Sequence, residues 1–170
     1  GTAPDTSVAP DGAQPGNDAG LDASTGPLLE DAVQISAGRA HTCVVTAAQD
    51  VLCWGANGAG QLGVPTAQVA RSSFPVKVEL GGKAVQVAAG GNHTCAILTD
   101  GQLRCWGSNE RGQLGRGSLV ATGTVGPVSP PDKNAASWTT AETITAGAAF
   151  TCAGMKAGNL GGLPGRRFFC

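Results

Sequence analysis

The sequence contains no tyrosine, only 4% aromatic residues and two histidines. It also has no apolar run near the roughly 18 residues that a membrane-spanning helix requires, so we expect no membrane span. The two histidines occupy equivalent places in a repeat, and this arrangement gives no unique nucleophile–base pair. No glycine-rich stretch lies between a strand and a helix carrying Lys-Ser/Thr, so no phosphate-binding loop is predicted. We therefore expect neither enzymatic activity nor a cofactor.

The 170 residues include 27 glycines and 10 prolines, which favours short strands separated by many turns. The net charge is −1, but residues 1–38 hold six acidic residues and no lysine or arginine. The rest of the chain is mildly basic, yet no basic cluster is interleaved with aromatic residues. Nucleic-acid binding is therefore not expected.

The first 27 residues are rich in Ala, Pro, Gly, Ser and Asp and poor in large apolar side chains. Such a segment cannot bury enough surface to offset its ordering entropy. We predict a disordered acidic linker over residues 1–27. Because the chain begins with Gly and not Met, we expect something upstream of the linker, such as a processed signal peptide or a lipid anchor.

The remaining sequence repeats itself. Residues 33–63 and 85–115 align without a gap at an offset of 52 and agree at 15 of 31 positions. A partial third copy begins near residue 144. We assign the repeats to residues 28–153, as about 33–80, 85–140 and a partial unit from 144; a period of about 50 residues indicates a repeat architecture.

Each copy contains segments typical of short strands. In the second copy two strands face each other across a three-residue loop that ends in Gly101, a favoured hairpin connection. In the first copy the equivalent loop ends in Gln49 and should be less well formed. A candidate fourth strand begins at Pro75, which suits a strand start or an edge. The predicted strands are Val85–Ala89, Thr94–Leu98, Leu103–Trp106 and Phe74–Leu80.

Four short strands per unit are typical of a β-propeller blade. The predicted fold class is therefore all-β, with blades of four antiparallel strands in an incomplete ring. Blades crowd together at a propeller axis, so each blade must narrow there and tolerates little side-chain volume. Small residues at the end of the first strand of each copy supply this taper. These are Ser36-Ala37-Gly38, Ala88-Ala89-Gly90 and Thr145-Ala146-Gly147.

The cysteines recur with the repeat. With a three-residue loop, Cys95 lies directly opposite Cys105, and Cys43 opposite Cys53, which predicts one cross-strand disulfide per complete copy. A two-residue loop would shift this register by one and separate the sulfur atoms. Disulfides would indicate an oxidising compartment. Cys152 and Cys170 lie 18 residues apart, do not fit this spacing, and are left unassigned.

Zinc is the alternative, because each copy places a histidine two residues before a cysteine. No Cys-x-x-Cys and no recurring fourth ligand accompany them, so no metal is expected. We favour a structural histidine that hydrogen-bonds to a turn. Phe150 replaces histidine in the third copy, which favours a packing role, and the repeated tryptophans are assigned to the core rather than to an exposed binding site.

The repeated residues, Gly before His-Thr-Cys and then Cys-Trp-Gly-x-Asn-x-x-Gly-Gln-Leu-Gly, resemble the regulator of chromosome condensation repeat family. The resemblance implies a seven-bladed propeller, and the doubled cysteines beside a linker are similar to a secreted bacterial branch. Two copies and a part cannot close such a ring, so we expect a fragment whose full-length chain supplies further blades. The repeat-signature residues are Gly38, His41, Trp54, Gly55, Gly63, Gly90, His93, Trp106, Gly107 and Gly115.

Residues 154–170 depart from the family pattern and are hypothesised to be an atypical tail that follows a frameshift.

The predicted function is a non-enzymatic module that binds a protein or a glycan outside the cell or at its surface, periplasm and outer membrane included. The inter-repeat segments 64–73 and 116–137 differ in sequence and length, as binding loops on a constant scaffold do. The alternative is a guanine-nucleotide exchange factor or another regulator of a small GTPase, whose functional residues lie outside the repeat signature.

Overall fold

The structure is a computed structural model that describes residues 29–129, 140–156 and 167–170. The predicted linker over residues 1–27 lies outside these ranges, as do residues 130–137 of the second predicted loop and most of the predicted tail.

The described residues form an all-β fold, as predicted, with one short 3-10 helix at Leu29–Asp31. The eleven strands are β1 (Ala32–Ala37), β2 (His41–Thr46), β3 (Val51–Ala56), β4 (Arg71–Lys77), β5 (Ala84–Ala89), β6 (His93–Leu98), β7 (Leu103–Gly107), β8 (Thr122–Pro127), β9 (Ala141–Ala146), β10 (Thr151–Met155) and β11 (Arg167–Phe169).

The strands make three antiparallel sheets in chain order. Sheet 1 runs β1-β2-β3-β4 and sheet 2 runs β5-β6-β7-β8, so both are four-stranded meanders, as the propeller-blade prediction requires. Sheet 3 contains β9, β10 and β11 among the described residues, in the order β11-β10-β9.

The hairpin between β6 and β7 has the predicted three-residue loop. Leu98 N–H donates to the Gln102 carbonyl at 2.9 Å, and Cys95 lies opposite Cys105. Their sulfur atoms are bonded, with Cα atoms 4.1 Å apart, and Cys43 and Cys53 are bonded in the same way in sheet 1. Both predicted disulfides are therefore confirmed.

Cys152 and Cys170 are also bonded, with Cα atoms 4.1 Å apart. The sequence spacing did not identify this pair, because 18 residues separate these cysteines against 10 in the other two sheets. β11 pairs with β10 so that Phe169 lies opposite Ala153, which brings the two cysteines together. Sheet 3 therefore carries the same cross-strand bridge as its neighbours.

The fourth strand of sheet 1 was wrongly placed at Phe74–Leu80. β4 begins three residues earlier and ends at Lys77. The register of β3 against β4 shifts between Cys53 and Gly55, so an irregularity interrupts the ladder near Pro75. A bulge accommodates a residue that has no N–H to donate, and proline can therefore sit inside the strand rather than at its start.

The hairpin loop of sheet 1 is also better formed than its sequence predicts. Gln49 adopts φ +62°, the conformation that Gly101 adopts at +81°. Gln49 N–H donates to the Thr46 carbonyl at 2.8 Å, which matches the bond from Gly101 to Leu98 at 2.9 Å. The following residue, Asp50, contacts Lys77 at 3.4 Å and Lys83 at 2.9 Å, and its hydrogen bond to Lys83 lowers the pKa of its carboxyl group. These contacts hold the loop in place although the left-handed backbone conformation of Gln49 costs conformational energy.

The sheets stack with their apolar cores between them. Val45, Leu62, Val87 and Trp106 belong to a core that joins sheets 1 and 2, and Ile97, Leu114 and Ile144 belong to one that joins sheets 2 and 3. The first strands of sheets 1 and 2 also meet just past their ends, where Arg39 N–H donates to the Gly90 carbonyl at 3.2 Å.

Glycine is required at this approach. A Cβ atom at Gly90 would lie 2.6 Å from the Gly147 carbonyl oxygen and would also meet the His93 ring, and one at Gly38 would meet the Gly90 carbonyl oxygen. The predicted taper of small residues is therefore present at these contacts.

Replacing Gln49 with glycine is expected to raise the free energy of unfolding by about 0.5–1 kcal/mol, because relief of the left-handed strain exceeds the added entropy of the unfolded chain. Urea denaturation measures the change. Gln49→Ala is the matched control, since it removes the same exposed side chain and keeps the strain. Equal stability of the two variants would contradict this explanation.

Replacing Cys95 and Cys105 together with alanine is expected to lower the free energy of unfolding by roughly 2–3 kcal/mol, the loop-closure entropy of a short covalent ring. Thermal or urea unfolding measures the loss. Thiol titration of the native wild-type protein provides the control and should detect no reaction at these two positions. Rapid labelling of both cysteines in the folded protein without reductant is the contrary result.

Candidate functional site

Two fully buried asparagines, Asn57 and Asn109, organise the loops that follow β3 and β7. The Asn57 Oδ1 atom accepts a hydrogen bond from Leu62 N–H at 2.9 Å, and its Nδ2 group donates to the carbonyls of Val64 and Val69 at 3.1 and 2.6 Å. One side chain thus holds both ends of a surface loop, and its buried amide is well satisfied.

Asn109 does the same in sheet 2. Its Oδ1 atom accepts from Leu114 N–H at 3.0 Å, and its Nδ2 group donates to the carbonyls of Ser118 and Val120 at 2.7 and 3.0 Å. Neither asparagine was among the predicted site residues. The sequence did carry a signal for them, because asparagine occupies the same position in both copies, shortly before inter-repeat segments whose sequences differ.

The two loops present different surfaces. In sheet 2 the side chains of Leu119 and Val120 are 68% and 69% exposed and adjacent in sequence. Their backbone is fixed by Asn109, so two large apolar side chains project from an ordered loop. An exposed adjacent pair of this kind is a candidate anchor for a protein partner. We call residues 116–121 the apolar loop.

Arg116 fixes the base of the apolar loop. Its guanidinium donates to the Cys105 carbonyl on β7 and to the Thr124 carbonyl on β8, the latter at 3.1 Å. Partial burial lowers the pKa of Arg116 from its ordinary value. The loop is thus tied to both strands that it connects.

The predicted structural histidines join neighbouring sheets. His41 Nε2 lies 2.8 Å from Thr94 Oγ1, and Thr94 Oγ1 donates to the Gln61 carbonyl at 2.8 Å. Because the threonine proton is used on Gln61, His41 donates from Nε2. For His41 the expectation that the ring bonds to a turn was wrong, since the ring bonds to Thr94 on β6 and only the His41 backbone carbonyl bonds to the turn, at Gly38 N–H.

The second histidine repeats this arrangement. His93 Nε2 lies 2.8 Å from Thr151 Oγ1 on sheet 3. Burial lowers the pKa of His41 to about 4, with the nearby His93 adding to the effect, and burial also lowers the pKa of His93. Both rings are therefore neutral at physiological pH. Phe150 takes the histidine position in sheet 3, where its ring is 54% exposed and covers Gly147.

The two tryptophans differ in environment. Trp106 is fully buried, and its Nε1 group donates to the Gln61 carbonyl at 2.9 Å. Trp54 is half-buried. Trp106 is therefore a core residue, as predicted, whereas Trp54 is only partly so. Within the described residues, sheet 1 packs against another sheet on one face only, and this leaves Trp54 partly exposed.

Four further signature glycines adopt positive φ, two of them in strands and two in turns. Gly55 and Gly107 follow the tryptophans with φ of +109° and +104°, and Gly63 and Gly115 end the Gly-Gln-Leu-Gly turns with φ of +75° and +61°.

The sulfur atoms that the zinc alternative requires are bonded to one another. Across residues 29–129, 140–156 and 167–170, no group of three or more His, Cys, Asp or Glu side chains is placed to hold a metal ion. The same ranges contain no helix long and apolar enough to cross a membrane.

The buried histidines predict acid sensitivity. The pKa of His41 is lower in the folded than in the unfolded protein, so the unfolded state gains protons first as the pH falls below about 6.5. Between pH 7.5 and pH 5, His41 alone is expected to lower the free energy of unfolding by about 2 kcal/mol, an effect that levels off below pH 4. Urea denaturation at both pH values measures it.

His41→Gln is the control for this effect, because glutamine keeps a donor for Thr94 and does not titrate. Its stability should fall about 2 kcal/mol less than that of the wild type over the same pH interval. Identical pH dependence of the two proteins would exclude His41 as the source.

The chain is similar to proteins that contain the same repeat. The family profile described as "Regulator of chromosome condensation (RCC1) repeat" matches residues 50–97 and 100–153, and a second profile of that description matches residues 32–61 and 84–113. Regulator of chromosome condensation from Mus musculus is 44% identical over 82 residues, covering 48% of this chain and 20% of that protein. Its counterpart from Drosophila melanogaster is 38% identical over 89 residues, covering 51% of this chain and 16% of that protein.

A solved structure supports the same fold. Prp20p from Saccharomyces cerevisiae superposes with a TM-score of 0.68 at 21% identity, covering 79% of this chain and 33% of that chain. At this identity the likeness shows the fold alone. The chain spans a fifth or less of the length of the curated relatives it matches. With the profile matching more than half of its residues, the chain belongs to the regulator of chromosome condensation (RCC1) repeat family.

Proposed function

We propose that this chain is a non-enzymatic protein-binding module and that the apolar loop is its contact surface. The observation that carries the proposal is the exposure of Leu119 and Val120 on a loop whose backbone is held by the buried Asn109. A partner that docks here meets a surface that is already ordered, so less conformational entropy is lost on binding. Apolar side chains that leave water on binding add a favourable hydrophobic contribution to the affinity.

We further propose that the module works outside the cell or at the cell surface. Three disulfides join the described strands, and such bonds persist in oxidising compartments. They also suit a small repeat unit with few large apolar side chains, which gains stability from covalent links.

The similar proteins indicate the class of partner. Prp20p is described as binding Gsp1p and histones, so at least one protein of this fold recognises other proteins. We therefore propose a protein ligand in preference to a glycan.

Photo-crosslinking tests the apolar loop directly. A benzoyl-phenylalanine placed at position 119 of the full chain should capture a defined protein from medium or extract of the source culture, read out by mass spectrometry. The same probe at Asp100 is the matched control, since this exposed residue lies in the hairpin loop at the opposite end of β7. The captured protein is then purified for binding measurements.

The double variant Leu119→Ser, Val120→Ser should weaken binding of the purified partner at least tenfold, because the apolar anchors are lost while the Asn109 bonds to the backbone remain. Its melting temperature should equal that of the wild type. Unchanged affinity, equal capture from positions 100 and 119, or a glycan as the only ligand on an array would overturn the apolar loop as a protein-binding surface. Nucleotide release from a small GTPase by substoichiometric chain would instead favour the exchange-factor alternative.

A further inference from the structure

One turn of sheet 2 carries an asparagine that the repeat does not require. Residues 92–94 read Asn-His-Thr, which matches the Asn-x-Ser/Thr sequence that accepts N-linked sugar. No other asparagine of the sequence has Ser or Thr two residues later. The equivalent residues in the other copies are Ala40 and Ala149. Because so short a motif also arises by chance, the surroundings of Asn92 decide its meaning.

The turn that carries Asn92 is flanked by the turns of both neighbouring sheets. Arg39 N–H, in the turn after β1, donates to the Gly90 carbonyl at 3.2 Å, and Gly91 N–H donates to the Gly147 carbonyl after β9 at 3.2 Å. The Asn92 carbonyl itself accepts from Ser108 N–H at 2.8 Å. Asn92 is nevertheless exposed. Its exposure is therefore a property of a turn that already has a neighbour on each side.

Neither backbone conformation nor hydrogen bonding explains an asparagine at position 92. Turns favour asparagine where φ is positive or where the side chain bonds to nearby backbone groups. Among the described non-glycine residues only Gln49 has a positive φ, so the first reason does not apply. The Asn92 side chain also forms no hydrogen bond within the described part of the chain, in contrast to the buried amides of Asn57 and Asn109. The Asn92 amide is thus accessible and has no structural role.

We propose that Asn92 is an N-glycosylation site. In the transfer, Asn92 Nδ2 forms a bond to C1 of a sugar that is carried on a lipid pyrophosphate. The bond between C1 and the pyrophosphate oxygen breaks, the lipid pyrophosphate leaves with the electron pair, and Nδ2 loses one proton. This site rests on the extracellular location proposed above, because the transfer accompanies export. It does not use Leu119 or Val120.

The fold dictates when the sugar is attached. The transferring enzyme recognises the hydroxyl of the third motif residue, which is Thr94. In the folded chain Thr94 is buried, and its Oγ1 atom accepts from His41 and donates to the Gln61 carbonyl at 2.8 Å. The next residue, Cys95, is bonded to Cys105. Transfer therefore precedes closure of the contact between sheets 1 and 2, and the folded protein then carries the sugar on an exposed turn.

Peptide mapping of the full chain recovered from the medium of the source culture tests the site. The peptide that contains Asn92 should carry a sugar mass, and peptide-N-glycosidase in heavy-oxygen water should remove it and leave a labelled aspartate. The peptides that contain Asn57 and Asn109 are internal controls and should be unmodified. An unmodified Asn92 in chain from the medium would overturn the site and leave the extracellular location intact. Recovery of the chain from the cytosol alone would overturn both.

Asn92→Gln removes the acceptor and should abolish the sugar mass. Its melting temperature should equal that of enzymatically deglycosylated wild type, because the Asn92 side chain makes no hydrogen bond. The matched variant Asn92→Ala, Ala40→Asn moves the motif to the equivalent turn of sheet 1, where Ala40 is also exposed, and should regain the sugar at position 40. A sugar retained by Asn92→Gln, or none regained by the double variant, would contradict the proposal.

The order of events is tested with unmodified full chain, a purified oligosaccharyltransferase and its lipid-linked donor. Reduced and alkylated chain should accept at least about tenfold more sugar than oxidised, folded chain, because Thr94 must leave its buried contact before it is recognised. Equal transfer to both forms would overturn the proposed order, and transfer to neither would overturn Asn92 as the acceptor.

Discussion

The structure depends on a hydrogen-bonded contact between successive sheets that is centred on the Gln61 carbonyl. This oxygen accepts hydrogen bonds from Thr94 Oγ1 and Trp106 Nε1, and Thr94 Oγ1 in turn accepts one from His41 Nε2. All of these groups are buried, so removal of one leaves another unsatisfied at a cost of about 1–3 kcal/mol. The contact therefore couples a turn and a strand of one sheet to two strands of the next, which is how stacked repeats share their stability.

The covalent and polar links compensate for a sequence that is poor in large apolar side chains. With 4% aromatic residues, the chain has few rings to pack, and Trp106 is the largest side chain among the fully buried residues described. Each sheet instead links two neighbouring strands through a disulfide, and in sheets 1 and 2 a buried asparagine holds the adjoining loop. Because these devices involve the backbone or fixed repeat positions, the intervening loop residues are free to vary.

Local features could be predicted from the sequence, whereas contacts between sheets could not. The opposition of Cys95 and Cys105 follows from a three-residue loop alone, since loop length fixes the register of a hairpin. The partner of His41 lies 53 residues away, and nothing in either copy identifies it. Gln49 misled the prediction because local propensity opposes its conformation, while the bond from Ala84 N–H to its carbonyl at 2.9 Å supports it. The Cys152–Cys170 pair was missed because its spacing breaks the repeat.

The histidine–threonine bond recurs at both contacts between sheets. His93 and Thr151 lie at the same 2.8 Å as His41 and Thr94. In the first contact the Gln61 carbonyl also accepts from Thr94 Oγ1 and from the Trp106 indole, so one buried oxygen serves two donors. Because the threonine stands one residue before the bridged cysteine in each of these sheets, the same repeat position joins each sheet to the one before it.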